Sequence, residues 1–162
     1  MRYHRLVIPL VLALVVFTGC AIGFSNKALK EINPDVKISD IFDDPYGVNG
    51  ETILFGGTIM SITSYVGKTS MEIRQLELDP KFVPMLNSRS EGVIVAKFST
   101  FLPQDVYRPG RLITIIGRVT GVEEQRFGPV SHNYPMVDVV EHQLRISPEY
   151  IVGPPKNPVP LP

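Results

Sequence analysis

The stretch ETILFGGTIMSIT, Glu51 to Thr63, carries the pattern that decides the fold. Ile53, Phe55 and Ile59 share one period-2 face around Gly57, and Leu54, Met60 and Ile62 lie on the other. Alternation of this kind predicts a β-strand. The paired glycines Gly56-Gly57 are costly in a flat strand and natural where one bends or bulges. Such a bend lets a small sheet curl into a barrel.

Working outward, Val48-Asn49-Gly50 reads as the turn into this strand. Ser39-Asp40-Ile41-Phe42-Asp43-Asp44-Pro45 reads as a short helical turn, with Ser39 as its cap, early carboxylates at its N-terminus and Pro45 as its stop. Ile41 and Phe42 are expected to pin that turn to the body. Downstream, Tyr65-Val66-Gly67-Lys68 closes a hairpin to a strand over Thr69–Leu76, where Met71 and Ile73 alternate with Glu72 and Arg74. Gly92–Phe98 is a third, more apolar strand, Arg111–Val119 a fourth with an internal Gly117, and Pro135–Leu144 a fifth. On this last strand Met136, Asp138, Val140 and His142 occupy one side, and Val137, Val139 and Glu141 the other. Leu78–Ser90, Thr100–Gly110 and the polar Gly121–Tyr134 read as connections. Five short strands with turns between them predict an all-β, mostly antiparallel domain over 39–147: a partly closed barrel of the OB type, with a sandwich as the alternative.

The N-terminus, MRYHRLVIPLVLALVVFTGC, has a basic start at Arg2, His4 and Arg5, an apolar run from Leu6 to Phe17, and Thr18-Gly19 before Cys20. This is the order of a secretory signal, and the run is shorter than the roughly 20 residues a transmembrane helix needs. With a cysteine at its end, the segment resembles a bacterial lipoprotein signal. There the leader, here 1–19, is removed and the cysteine, here Cys20, carries the lipid. Residues 20–38 then read as a lipidated tether. Ala21-Ile22 offers no aspartate beside the cysteine, the residue that resembles an inner-membrane retention signal, so outer-membrane delivery is expected. Beyond Ser147 the chain reads PEYIVGPPKNPVPLP; six prolines in fifteen residues predict an extended tail over 148–162.

Losing Arg2 and Arg5 with the leader takes the basic count from 16 to 14 against 16 acidic residues. That balance gives no clustered basic footprint for nucleic acid. Cys20 is the only cysteine, so no disulfide forms within one chain and stability must come from apolar packing. The sequence holds no GxSxG elbow, HExxH pair, P-loop or CxxC. Once His4 leaves with the leader, His132 and His142 remain. With Asp138 or Glu141 they would be the material for a metal site or a hydrolase. Asp138 and His142, on one strand face, are about 13 Å apart by the strand rise, whereas metal ligands sit roughly 2 Å from the ion. Neither a metal nor a cofactor is expected. Tyr65, Tyr107 and Tyr134 are the candidates for a ligand surface ringing one end of the barrel.

Phe55-Gly56-Gly57-Thr58-Ile59, Leu76-Glu77-Leu78-Asp79-Pro80, the block FLPQDVYRPGRLITIIGRVTG from Phe101 to Gly121, and Tyr134-Pro135 stand in an order that resembles the Slp family, the starvation-inducible outer-membrane lipoproteins of Gram-negative bacteria. The resemblance implies a lipoprotein on the periplasmic side of the outer membrane and brings no catalytic residues with it. The function it implies is a non-catalytic envelope component, held to the membrane at Cys20, that binds a protein, glycan or lipid partner or serves under stress. The alternative is a periplasmic hydrolase using His132 or His142 with a carboxylate.

Overall fold

The computed structural model describes residues 23–127 and 130–145; the leader, Cys20 and the proline-rich tail lie outside them. The elements are helices α1 (Asn26–Glu31) and α2 (Ile38–Asp43), then strands β1 (Thr52–Tyr65), β2 (Lys68–Leu76), β3 (Val93–Phe98), β4 (Leu112–Phe127) and β5 (Val130–Arg145). One sheet closes on itself in the order β1-β2-β3-β5-β4 and back to β1. The expected five-stranded, mostly antiparallel barrel is present, and the sandwich is excluded. Closure depends on a single parallel seam, Val95 to Lys97 of β3 against Met136 to Asp138 of β5.

Ile53, Phe55 and Ile59 of β1 meet Met71, Ile73, Ile94, Ile113 and Ile115 in one buried cluster. The glycines between them are required by close approach rather than by left-handed backbone. A Cβ on Gly57 would lie 2.0 Å from the carbonyl oxygen of Arg74 on β2, and one on Gly56 would lie 2.8 Å from the Ile113 oxygen and from Leu78 Cδ2. Gly57 lets β2 approach from inside. Gly56 lets the β2–β3 connection lie across the outside, where Leu78 and Pro84 bridge each other.

Bulges change which faces the residues occupy. In β1 the register slips between Ile59 and Ser61, leaving Met60 exposed and turning Ile62 inward opposite Met71. Ile62 therefore does not share the outer face with Leu54 and Met60. In β5 the slip between Val139 and Glu141 leaves Val140 unpaired, so Val137 and Val139 face the core before it, and His142 and Leu144 do so after it. An extra residue in one strand of an antiparallel pair has this effect.

Four further expectations are corrected. Gly121–Tyr134 is not a loop: β4 and β5 run on as a two-stranded ribbon, from Gly121 opposite Met136 to Phe127 opposite Val130. Its Gly121–Phe127 side is roughly 20 Å long by the rise per residue. Its run Glu123-Glu124-Gln125-Arg126 shows no apolar alternation to read. Second, α2 is not capped by Ser39. The cap position is Lys37, two residues earlier, and the Asp40 carboxylate accepts from its backbone N–H at 2.9 Å. As expected, Ile41 is fully buried in the core and the Phe42 ring lies over Gly92. Third, much of the expected tether is folded. Ser25 caps α1, its Oγ accepting from Ala28 N at 3.1 Å, while Asn33 N donates to the Thr52 carbonyl at 2.8 Å. Fourth, the three tyrosines do not ring one end of the barrel, as set out below.

Candidate functional site

The barrel has two different ends. Helix α2 closes the upper end through Ile41, and the β4–β5 ribbon leaves from there. The lower end is formed by the β1–β2 turn, Phe98, the 99–111 connection and Arg145. It is plugged by Leu102, whose N–H donates to Thr69 Oγ1 at 3.0 Å and whose carbonyl accepts from Ser64 Oγ at 3.3 Å. Tyr65 and Tyr107 lie at this lower end. Tyr134 lies on the ribbon, paired with Glu123. Its ring stacks on His132 with centroids 6.2 Å apart.

The histidines are also separated. His132 and His142 stand ten residues apart on one strand, and the bulge at Val140 turns His142 inward while Asp138 stays exposed. Asp138 and His142 therefore do not share a face. No group of three or more His, Cys, Asp or Glu side chains suited to a metal occurs among the described residues. Glu141 is engaged elsewhere. Its carboxylate accepts from both Ser25 Oγ and Ser25 N, the latter at 2.9 Å, and these bonds hold its pKa below the usual carboxylate range. Glu123, one of the acidic pair in the ribbon, meets Lys97.

His142 does have a built environment. Its Nε2 and the Tyr107 hydroxyl are 3.0 Å apart, and its ring stands edge-on to Phe98 with centroids 5.1 Å apart. Burial lowers the His142 pKa and raises that of Tyr107, so neutral imidazole and neutral phenol face each other. The bond between them ties the 99–111 connection to the barrel wall. Because its folded pKa lies below the ordinary 6.5, the unfolded chain takes up the proton first. The stability this gives is complete above pH 6.5 and is lost as pH falls below that value. The urea midpoint should therefore fall between pH 7.5 and 5.5. His142→Gln, which keeps a partner for Tyr107, should flatten that dependence; an unchanged slope in the variant would contradict it.

Two clefts of about 340 Å³ flank the barrel. One is lined by Leu54, Gln75, Glu77 and Arg89, the other by Lys68, Lys97, Phe98 and Asp138. Both are at the small end of ligand pockets. What the sequence reading missed is the exposed apolar surface of the lower end, at Val66 and Phe101. Its signal was an apolar pair, Tyr65-Val66, in a tight turn where polar residues are the rule.

The chain is 26% identical over 123 residues to the uncharacterized lipoprotein YeaY of Escherichia coli K12, covering 76% of this chain and 63% of that protein. It is 27% identical over 103 residues to the outer membrane protein Slp of the same organism, covering 62% and 54%. The chain thus spans about three-fifths and about half of the lengths of these two relatives. A profile of the outer membrane lipoprotein Slp family matches residues 17–159, which takes in Cys20, both barrel ends and the ribbon. The chain belongs to the outer membrane lipoprotein Slp family.

Proposed function

We propose that the chain is a non-catalytic lipoprotein, acylated at Cys20, that faces the periplasm and serves as a binding or scaffolding module of the envelope under stress. The observation that carries this reading is how the barrel uses its reactive side chains. His142 is a packing and hydrogen-bonding post for Tyr107, Glu141 holds Ser25, and Glu123 meets Lys97. An active site needs convergent groups within hydrogen-bond reach of one reacting atom, and these groups each serve a separate contact. Family membership and the names of the two E. coli relatives support the envelope location. The partner, whether protein, glycan or lipid, would approach the surface presented by the anchored barrel.

The test is a double variant, His132→Gln/His142→Gln, in a strain deleted for the gene. Rescue under acid or starvation stress, the conditions the family resemblance implies, should stay within about twofold of wild type once expression is matched, as expected for substitutions that spare the fold. Loss of rescue by a variant that still melts cooperatively would favour the hydrolase reading.

A further inference from the structure

We infer that the lower end of the barrel is a membrane-contact surface, with Tyr65, Val66 and Phe101 resting in the headgroup layer of the bilayer that holds the acyl chains. The inference rests on acylation at Cys20 as proposed above. Three observations support it. First, the exposed apolar side chains at this end are large and adjacent: Tyr65 is 66% exposed, Val66 completely and Phe101 60%. They sit on two turns locked together by the bonds of Leu102 to Ser64 and Thr69, so they form one rigid edge. Second, the same turns carry Lys68, Arg108 and Arg111 against Asp105, a local basic excess where the chain without its leader has 14 basic and 16 acidic residues. Aromatic rings with basic neighbours suit an anionic lipid surface.

Third, the chain length fits. Ser25 is fixed to Glu141, and Cys20 is five residues before it, a reach of at most about 17 Å for extended chain. Glu141 lies four residues from Arg145, where β5 arrives at the lower end, about 13 Å along the strand. From Ser25 the chain runs the other way, through α1 to Asn33 at Thr52 of the upper end. The anchor can thus reach the plane of the apolar edge, which would turn the β4–β5 ribbon away from the membrane. Acyl chains supply most of the attachment in this arrangement, and the edge sets the orientation.

The experiment uses the full lipidated protein in vesicles of phosphatidylethanolamine and phosphatidylglycerol. Cys20 is the only native cysteine, so Val66→Cys and Tyr46→Cys each add a single free thiol for a polarity-sensitive fluorophore. Tyr46, 70% exposed beside α2, is the control at the opposite end. The probe at 66 should be shifted to the blue and quenched by iodide at least about threefold less than the probe at 46, as shallow burial in the headgroup layer requires. Equal quenching would overturn the inference. Shielding that grows with protein density at fixed lipid would mark a second copy, and shielding lost on truncation after Tyr150 would mark the tail; either overturns it. The mass of the same preparation decides the anchor separately. A missing acyl mass sinks acylation at Cys20 whatever the probe reports, and shielding at 66 on the same anionic vesicles would still support the lipid-contact edge.

Discussion

Gly57→Val should cost the fold at least about 3 kcal/mol, or roughly 10 °C or more in melting temperature. The residue has ordinary extended backbone, so the cost is not one of φ. It comes from the space itself: the first side-chain carbon would stand 2.0 Å from the Arg74 carbonyl oxygen, and 3.0 Å from Ile73 Cγ2. That oxygen belongs to the backbone of the paired strand and cannot rotate away, so β2 must leave β1 locally. Valine makes this worse by adding two methyls towards a packed interior. Gly50→Ala is the comparison. Gly50 has φ +89, a left-handed value that strains alanine by about 1 kcal/mol, but a Cβ there meets nothing within 4 Å. Thermal or urea midpoints of the two variants should therefore differ widely, with Gly57→Val the lower. Equal midpoints would mean that the β1–β2 approach is looser than these distances.

The same glycine pair shows why part of the fold was legible in the sequence. Period-2 alternation marks a strand with one face in the core, as in β1 and β2, while β3 and β4 were visible as apolar, β-branched runs. What alternation cannot reveal is a break in its own phase. A bulge adds one residue without changing composition, so Ile62 and His142 read as outward or misplaced although both turn inward past Met60 and Val140. The ribbon was hidden for the opposite reason. The run Glu123-Glu124-Gln125-Arg126 on one side of it has no period-2 apolar alternation, and without that signal a strand reads as a loop. Nor was α1 legible: six residues that stop short of Pro34 look like tether until the Ser25 bonds to Glu141 and the buried Ala28 tie them to the wall.

The motifs behind the family resemblance can now be read as structure. Gly56-Gly57 admits β2 and the β2–β3 connection. Asp79 closes that connection by accepting from Lys81 N and Val83 N, both at 2.8 Å. The Phe101–Gly121 block supplies the Leu102 plug, Tyr107 for His142 and the whole β1-facing half of β4. These are the positions where the chain closes the barrel and its lower end. Shared motifs of this kind report a shared architecture, which is why they carry the fold more directly than they carry a chemistry. The candidate site was correspondingly less legible than the fold: Val66 lies outside those motifs and Phe101 only opens one, and both are marked chiefly by what the closed barrel leaves uncovered.

Cys20→Ala should leave the chain uncut and unlipidated, with at least about a hundredfold loss of the acylated, outer-membrane form, since acylation supplies about 0.8 kcal/mol for each buried methylene and two or three chains make attachment stable. The expectation follows from the order Phe17-Thr18-Gly19-Cys20 after an apolar run, in which the thiol is the atom that receives the lipid. Without it the leader stays on, and its apolar segment Leu6–Phe17 would hold the precursor at the inner membrane although it is too short to span stably. The barrel itself should be unaffected. Among the described residues the first bond to the wall comes from Ser25, and the core cluster is built from Ile41 onward. The variant should therefore melt like the parent while residing in the wrong membrane, which separates delivery from folding. Whole-protein mass spectrometry of both forms reads the result directly: acyl mass on a chain beginning at residue 20 for wild type, and a chain retaining residues 1–19 for the variant. A wild-type protein with a bare Cys20, or a variant still cut after Gly19, would end the lipoprotein reading of this terminus. A barrel that folds normally but fails to rescue stress survival would show that its role depends on being concentrated at the membrane, as expected for a tethered binding module.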